Sequence, residues 1–300
     1  MGQGIRVSSF IDVNANSLKG SIDVTNPNYD DSGNALGFNI SSVTNDFPNS
    51  GYENSLVSVG VNTKFEQFRN VYFAPGVNLT SDKLTVLSNA SENLKKQAGT
   101  FTDLSLDYSF LLDNRDRSFM PTKGTFATFS QTLPVFADSP SVRNTVQYNR
   151  YNSFNEDMIG AFKFYASAVN GIDEDVRLSK RINLSSSRLR GFNSNKVGPK
   201  DGNDYVGGNY ATTANFELAL PNFLPESTKT DIGFFFDVGN VWGVDYSSTV
   251  DDSFKVRSST GINANWLSPV GPMNFTFAQN ITKATTDETQ SFKFQLGTTF

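Results

Sequence analysis

The 300-residue sequence contains no cysteine and no histidine. Without cysteine the chain can form neither disulfide bridges nor thiolate metal sites. Without histidine it lacks the commonest metal ligand and the usual general base at neutral pH. A metal or hydrolase site made of carboxylates alone is still compatible with this composition. Much of enzyme chemistry is excluded, however, and we expect neither a cofactor nor a bound metal.

Long apolar runs are missing as well. No stretch of about 18 consecutive apolar residues occurs, so the sequence predicts no transmembrane helix. The N-terminus, MGQGIRVSSF, lacks the charged start and the apolar core of a secretory signal peptide. The formal net charge is −5, from 25 Lys and Arg against 30 Asp and Glu, and it gives no reason to expect nucleic acid as a partner.

The sequence is rich in phenylalanine, with 27 residues, and its apolar and polar side chains alternate as in strands with one apolar face. About 14 segments of roughly ten residues show this period, and turns rich in Asn, Asp, Gly and Ser join them. A helix-like piece at residues 91–97 interrupts the pattern, and residues 170–206 form a long loop with no period. In the last segment the apolar Phe292, Phe294, Leu296 and Phe300 alternate with Lys293, Gln295, Gly297 and Thr299.

Two architectures are compatible with such strands, a soluble β-sandwich or barrel and a transmembrane β-barrel. A tilted strand needs about ten residues to cross a membrane, whereas strands in soluble proteins cluster at about five or six. The face opposite the apolar one is rich in Asn, Thr, Ser and Gly, with only scattered charges. The sequence therefore predicts an all-β fold, an antiparallel transmembrane β-barrel of about 14 strands that forms one domain over residues 1–300.

The strands that follow the long loop carry charges on the face opposite the apolar one. If the apolar face meets lipid, Glu217, Phe235 and Asp237 must point into the lumen, because side chains alternate between the two faces of a strand. Two carboxylates in a narrow lumen repel each other and need a cation. We therefore expect a cation between Glu217 and Asp237.

The tip of the long loop, SSSRLRGF at residues 185–192, offers such a cation in Arg190. If the loop folds into the lumen, Arg190 can dock between the carboxylates, Phe235 can offer its ring to the guanidinium, and Gly191 permits the bend. The alternative is that Arg188 and Arg190 are solvated loop charges, and the residues alone leave both interpretations open. For Arg188 we expect an exposed position outside the docking site.

A second pair of carboxylates lies earlier in the chain. Asp103 and Asp107 alternate with Leu104 and Leu106 and therefore also face the lumen in this scheme. An acid/base pair is conceivable, but no lysine, histidine or nucleophile accompanies them in the sequence. We interpret both as polar residues of the barrel wall.

Several motifs, in order, resemble the C-terminal barrel of the BamA family of outer-membrane assembly proteins. RLRGF at residues 188–192 resembles the [V/I]RG[F/Y] signature of the sixth extracellular loop in that family. FFFDVGNVWG, SSTGINANWLSPVGPMNFTFAQ and the terminal FKFQLGTTF are similar to its last strands. NRDRSFMPTKGT at residues 114–125 is similar to its DRG-x-FPT-x-G strand start, with Ser118 in place of the glycine. The resemblance covers essentially the whole chain.

The resemblance implies a family barrel of 16 strands, of which this chain would begin near the third and would lack the periplasmic POTRA domains. It implies a non-enzymatic insertase, without cofactor, that folds β-barrel proteins into the bacterial cell outer membrane. A lateral seam between the first and last strands would open, and its unpaired edge would template the last strand of the client. The partners would be unfolded outer-membrane β-barrel clients, periplasmic chaperones, the lipoproteins of an assembly complex and the lipid bilayer.

The resemblance of the loop tip agrees with the docking inferred from strand parity and charge. In this scheme Arg190, Gly191 and Phe192 anchor the loop to the wall, together with Phe235, Glu217 and Asp237. Gln295, Gly297 and Phe300 fit the polar-x-Gly-x-x-aromatic spacing of the C-terminal targeting signal. Three alternatives remain: a TamA-like barrel, a two-partner secretion transporter, and a passive porin-like channel from a different functional class.

Overall fold

The computed structural model describes residues 4–14, 17–30, 33–47, 51–118, 120–155, 158–220, 230–268 and 271–296. Fourteen strands form one antiparallel sheet in which each strand pairs with the strands before and after it. They are β1 (Arg6–Asn14), β2 (Ser17–Asn26), β3 (Ala35–Phe47), β4 (Tyr52–Phe68), β5 (Val71–Val86), β6 (Gly99–Asp113), β7 (Gly124–Ala137), β8 (Ser141–Ser153), β9 (Ile159–Gly171), β12 (Tyr210–Ala219), β13 (Thr230–Trp242), β14 (Arg257–Ser268), β15 (Gly271–Thr282) and β16 (Phe292–Leu296). Two further strands of two residues each, β10 (Lys200–Asp201) and β11 (Asp204–Tyr205), form a separate hairpin.

The two faces of the large sheet differ as the alternation predicts. On β13, Phe234 and Phe236 are 49% and 39% exposed, whereas Phe235 and Asp237 are 2% and 0% exposed. The same pattern of exposed apolar side chains continues on strands from β1 to β16. An apolar face of this extent is unfavourable in water and suits the hydrocarbon core of a bilayer. No helix among the described residues is long and apolar enough to cross a membrane.

The connections between strands alternate between the two ends of the sheet. One end includes the tight turn at Asn70, which has a positive φ of 61°. The other end carries the longest connections, and the loop after β5 contains the short helix α1 (Glu92–Lys95). Ser91 caps this helix by accepting a hydrogen bond from the amide of Leu94 at 3.2 Å. The helix-like piece expected at residues 91–97 is thus a single turn.

The segment 172–209, between β9 and β12, lies against the inner face of the sheet, and we call it the lumen loop. The loop was predicted at 170–206, but β9 continues to Gly171 and β12 begins only at Tyr210. It also contains local structure that its lack of period did not predict, namely a 3-10 turn over Leu178–Lys180 and the β10–β11 hairpin.

The hydrophobic core lies between the lumen loop and the wall. Ile182, Leu184, Leu189, Phe192 and Val197 of the loop are buried and pack against β9, β12 and β13. The loop also contacts strands that are far apart in the sheet, from β5 at Asp82 to β16 at Lys293. These strands are nine positions apart in the sheet order. A flat sheet would separate them by about 43 Å at about 4.8 Å per strand, so the sheet curves around the loop.

Candidate functional site: the loop tip docked on the inner wall

The tip of the lumen loop is held by one arginine and two carboxylates. Nη1 of Arg190 lies 2.8 Å from Oε1 of Glu217. On its other side, Nη2 and Nε donate to the two carboxylate oxygens of Asp237 at 2.7 Å and 2.8 Å. The backbone amide of Arg190 also donates to Asp237, at 3.0 Å. The guanidinium therefore forms a bidentate pair with one carboxylate and a single contact with the other, which fixes its orientation as well as its position.

Strand register explains why these partners are neighbours. Glu217 of β12 is directly opposite Phe235 of β13, and Asp237 follows on the same face two residues later. The ring of Phe235 lies beneath the arginine, with its centroid 3.9 Å from Cζ of Arg190. The electron-rich ring face attracts the cation, and burial of both groups strengthens that attraction. The structure thus brings Arg190, Glu217, Asp237 and Phe235 together on the inner face.

Lys163 also belongs to this site, although we did not select it from the sequence. Its Nζ lies 2.8 Å from Oε2 of Glu217, the oxygen that Arg190 leaves free. Lys163 lies on β9 and pairs in register with Asn215 of β12. The site therefore balances two cations against two anions. The alternation of side chains along β9 could have identified Lys163 as an inner-face residue, because it lies between Phe162 and Phe164, two residues of the apolar face.

The two residues after Arg190 press against the wall on the other side of the tip. Gly191 has a φ of +87°, and its carbonyl oxygen accepts hydrogen bonds from the side chain of Asn280 at 2.9 Å and the amide of Gln290 at 3.0 Å. Phe192 is 1% exposed and forms an isolated β-bridge with Thr289. The tip is thus held by backbone contacts to β15 and to the loop before β16, in addition to its charges.

Gly191→Ala should lower the temperature at which the full-length barrel loses its compact form on gels. A Cβ at this position would meet the Cβ atoms of Ser259 and Ala278 at 3.1 Å and 3.2 Å. It would also place an L-residue at a left-handed φ, which costs about 1–2 kcal/mol. Gly202→Ala is the matched control, because Gly202 has a φ of +62° and nothing within 4 Å of the added atom. Equal midpoints for the two variants would contradict a close approach at the tip.

Arg188 does not occupy the exposed position that we expected. Its Cζ lies 3.7 Å from the ring centroid of Tyr165, and its carbonyl oxygen accepts a hydrogen bond from the side chain of Asn215 at 2.8 Å. No carboxylate pairs with it in the described part of the chain. Arg188 is only two residues from the docked Arg190, so the docked tip places it against the inner wall. There it is half-buried and stacks on Tyr165.

The interpretation of Asp103 as an unaccompanied wall residue is wrong. Asp103 lies 2.7 Å from Nζ of Lys180 and 3.4 Å from Nη2 of Arg177, both in the lumen loop. These cations are more than 70 residues away in sequence, and only the folding of the loop brings them near. Asp107, in contrast, accepts hydrogen bonds from the neutral side chains of Asn78 and Ser105.

The predicted targeting signal lies only partly within the described residues. Gln295 pairs with Asn274 in the β15–β16 ladder and is half-buried. Gly297 and Phe300 lie outside the described residues, so the signal stays a prediction. No group of three or more acidic, histidine or cysteine side chains that could hold a metal occurs in the part of the chain that the structure describes.

The arrangement of a loop tip anchored inside a 14-stranded antiparallel sheet can be compared with known proteins. A family model described as the Omp85 superfamily domain matches residues 1–300. The chain belongs to the Omp85 superfamily. Curated relatives in this superfamily include the outer membrane protein assembly factor BamA of Neorickettsia risticii, which is 28% identical over 75% of this chain and 31% of the relative. BamA of Neisseria meningitidis is 33% identical over 37% of this chain and 17% of the relative.

A solved BamA structure has the same fold. BamA from Haemophilus ducreyi, solved without POTRA domains 1–3, superposes with a TM-score of 0.87 at 23% identity, covering 97% of this chain and 64% of that chain. The family match, the BamA relatives and this shared fold together identify the chain as an outer-membrane β-barrel of the BamA type, located in the bacterial outer membrane. It spans about a third of the Neorickettsia relative and 64% of the solved BamA chain.

Proposed function

We propose that this barrel serves to fold and insert other β-barrel proteins into the bacterial outer membrane. The observation that carries the proposal is the loop tip, where Arg190 is held between Glu217 and Asp237 over the ring of Phe235. A protein that transports solutes through its pore needs an open lumen. An anchored loop that fills the lumen is instead compatible with a function that the barrel wall carries out. The names of the BamA relatives, outer membrane protein assembly factors, support the same activity. Folding and inserting a client forms and breaks no covalent bonds, so we propose that the barrel is not an enzyme.

The proposed mechanism is strand templating at a lateral seam between the first and last strands of the full barrel. An open strand edge presents unpaired amide and carbonyl groups, which a client strand can pair with. Among the described residues β16 lies at the end of the strand order and pairs with β15 on one side. The other side of such an edge strand is the side that a seam would present to a client strand.

The partners that follow from this proposal are unfolded β-barrel clients, periplasmic chaperones that deliver them, and the lipoproteins of an assembly complex. The C-terminal residues Gln295, Gly297 and Phe300 would act as the targeting signal of this chain when it is itself a client. The lipid bilayer is the solvent of the apolar face, where residues such as Phe216 and Phe277 are about half exposed.

The other functions fit less well. The secretion-transporter alternative has no specific observation in its favour, and among the solved structures CdiB from Acinetobacter baumannii superposes with a TM-score of only 0.53 at 11% identity. A TamA-like barrel has no specific observation in its favour. A porin-like channel needs an open lumen, and here the buried lumen loop occupies it, with Leu189, Phe192 and Val206 all at most 1% exposed.

Reconstitution of the full-length protein tests the proposal. Liposomes that contain it should convert an unfolded β-barrel client into a protease-protected, heat-modifiable form faster than liposomes that contain a porin. In planar bilayers the same preparation should conduct ions poorly, because the lumen loop blocks the pore. Client folding no faster than with the porin, or a conductance equal to that of the porin, would refute an assembly role.

A further inference from the structure

A second arginine of the lumen loop occupies a site much like that of Arg190. Nη2 of Arg177 lies 3.1 Å from Oδ2 of Asp82 and 3.4 Å from Oδ2 of Asp103. The ring centroid of Phe101 lies 3.9 Å from its Cζ. Arg177 is 5% exposed, and its two carboxylates are 2% and 8% exposed. An arginine held between two carboxylates and over a phenylalanine ring therefore occurs twice among the described residues.

The two sites also share one pattern of strand register. At the tip, Glu217 is opposite Phe235, and Asp237 follows two residues later on the same strand. At the second site, Asp82 of β5 is opposite Phe101 of β6 in the same way, and Asp103 follows two residues later. Each site thus consists of an acid on one strand and Phe-x-Asp on the next. The repeated pattern places two carboxylates and one ring around a single point on the inner face.

Each site also has a lysine that supplies the second positive charge. Lys163 contacts Glu217 at the tip, at 2.8 Å. Lys180 contacts Asp103 at the second site, at 2.7 Å, and also donates to the backbone oxygen of Ser139 at 2.9 Å. Both sites therefore hold two cations and two anions. The balance of charges matters for a buried group of this kind, because removing one partner leaves another buried charge uncompensated.

The two sites lie on different parts of the wall. The second site is on β5 and β6, and the tip site is on β12 and β13, five strand positions further along the sheet in each case. The lumen loop reaches β5 and β6 through Arg177, which lies six residues after the end of β9 at Gly171. It then returns to β12 and β13 through Arg190. The loop therefore connects two stretches of wall that do not touch each other in the sheet.

We propose that Arg177 is a second anchor of the lumen loop, and that the loop acts as a strut that fixes the distance between β5–β6 and β12–β13. Arg177 is a positioning residue in this scheme, because it acts on the barrel through the loop. The inference goes beyond the proposed function and does not depend on it. The loop can hold the two wall segments at a fixed separation only when both anchors are bound. Loss of either anchor should therefore allow the distance between β5–β6 and β12–β13 to vary.

The two anchors are not equally strong. Arg190 reaches its carboxylates through three nitrogens of the guanidinium at 2.7–2.8 Å, whereas Arg177 reaches both through Nη2 alone, at 3.1 Å and 3.4 Å. Shorter, bidentate contacts between charged groups are the stronger kind. Loss of the Arg177 contacts should therefore allow the distance between β5–β6 and β12–β13 to vary without unfolding the barrel. The change in this distance can then be measured on folded protein.

Pulsed electron resonance between two spin labels can measure this distance. The chain has no cysteine of its own, so Leu79→Cys on β5 and Phe236→Cys on β13, both exposed on the outer face, label specific sites within it. In full-length protein in liposomes we expect a narrow distance distribution. Arg177→Gln should broaden it, Arg190→Gln should broaden it as well, and the double variant should be no broader than the broader single variant.

Arg188→Gln is the matched control, because Arg188 lies in the same loop and stacks on Tyr165 without a carboxylate partner in the described residues. It should leave the distribution narrow. If Arg177→Gln does not fold, Asp82→Asn takes its place, since it nearly keeps the size of the side chain but removes the closer of the two charges that hold Arg177. An unchanged distribution for the Arg177 or Asp82 variant would overturn the proposal, as would a double variant whose broadening is the sum of the two singles.

Discussion

Arg190→Ala is expected to cause a large loss of barrel stability, because it leaves Asp237 buried without a counter-charge. The side chain of Asp237 is 0% exposed, and Arg190 is its ion-pair partner among the described residues. Breaking a buried ion pair by removing one partner typically costs about 3–5 kcal/mol. Glu217 is less affected, because it keeps Lys163 at 2.8 Å. The penalty therefore falls mainly on Asp237.

The measurement is the temperature at which folded full-length protein loses its compact form on gels. Arg190→Ala should lower this temperature, and Asp237→Asn added to it should restore much of the loss, because the uncompensated charge is gone. Glu217→Gln added to Arg190→Ala should restore less, since it removes a charge that Lys163 still balances and leaves Lys163 without its partner. Equal rescue by the two amides would contradict this distribution of charge.

Arg188→Ala is the control for the general effect of removing an arginine from the tip. Arg188 stacks on Tyr165 at 3.7 Å, and such a contact is worth about 0.5–2 kcal/mol. A small decrease is therefore expected, even though the residue is not fully exposed. If Arg188→Ala lowered the midpoint as far as Arg190→Ala does, the ion pairs of Arg190 would not be what holds the tip.

Alternation along the strands was sufficient to predict one half of the candidate site. The period of two places Phe234 and Phe236 outside, and Phe235 and Asp237 inside, without any knowledge of the neighbouring strands. The need of two lumenal carboxylates for a cation then pointed to the arginines of the long loop. Local periodicity together with electrostatics was therefore enough to place Glu217, Phe235 and Asp237 on the inner face and to predict a cation between the two carboxylates, although Lys163 was missed.

The rest of the site depends on contacts that no local pattern reports. Asp82 and Arg177 are separated by 95 positions in the sequence, and their pairing depends on the path of the loop across the lumen. The same path decides that Arg188 stacks on Tyr165 instead of facing water. The loop has no period, so its course is determined by the side chains that it meets on the wall.

Asp287→Ala is expected to destabilise the barrel about as much as Arg190→Ala, because it leaves a second buried arginine without its anion. Nε and Nη2 of Arg257 each lie 2.9 Å from a carboxylate oxygen of Asp287. The side chains of the pair are 2% and 0% exposed. Without Asp287, the acceptors that Arg257 keeps among the described residues are neutral, namely the side chain of Asn240 and the carbonyl of Lys255. The expected cost is again about 3–5 kcal/mol.

Asp251→Ala is the matched control in the neighbouring loop. It breaks the pair between Lys255 and Asp251, whose side chains are 43% and 66% exposed. Exposed pairs of this kind contribute about 0–1 kcal/mol, so the midpoint on gels should barely change. Asp287→Ala should lower it strongly, and Asp287→Asn should lower it less, because the amide can still accept a hydrogen bond from Arg257.

The Asp287 variant should also be coupled to the loop tip. The residues that follow it bind the tip through the backbone, since Glu288 accepts from the amide of Asn193 and Gln290 donates to Gly191, both at 3.0 Å. Loss of Asp287 therefore loosens the hairpin on which the tip rests. Residues that share a network show non-additive effects, so Asp287→Ala combined with Arg190→Ala should cost less than the sum of the single changes. Strict additivity of the two midpoint shifts would mean that this hairpin and the docked tip are energetically independent.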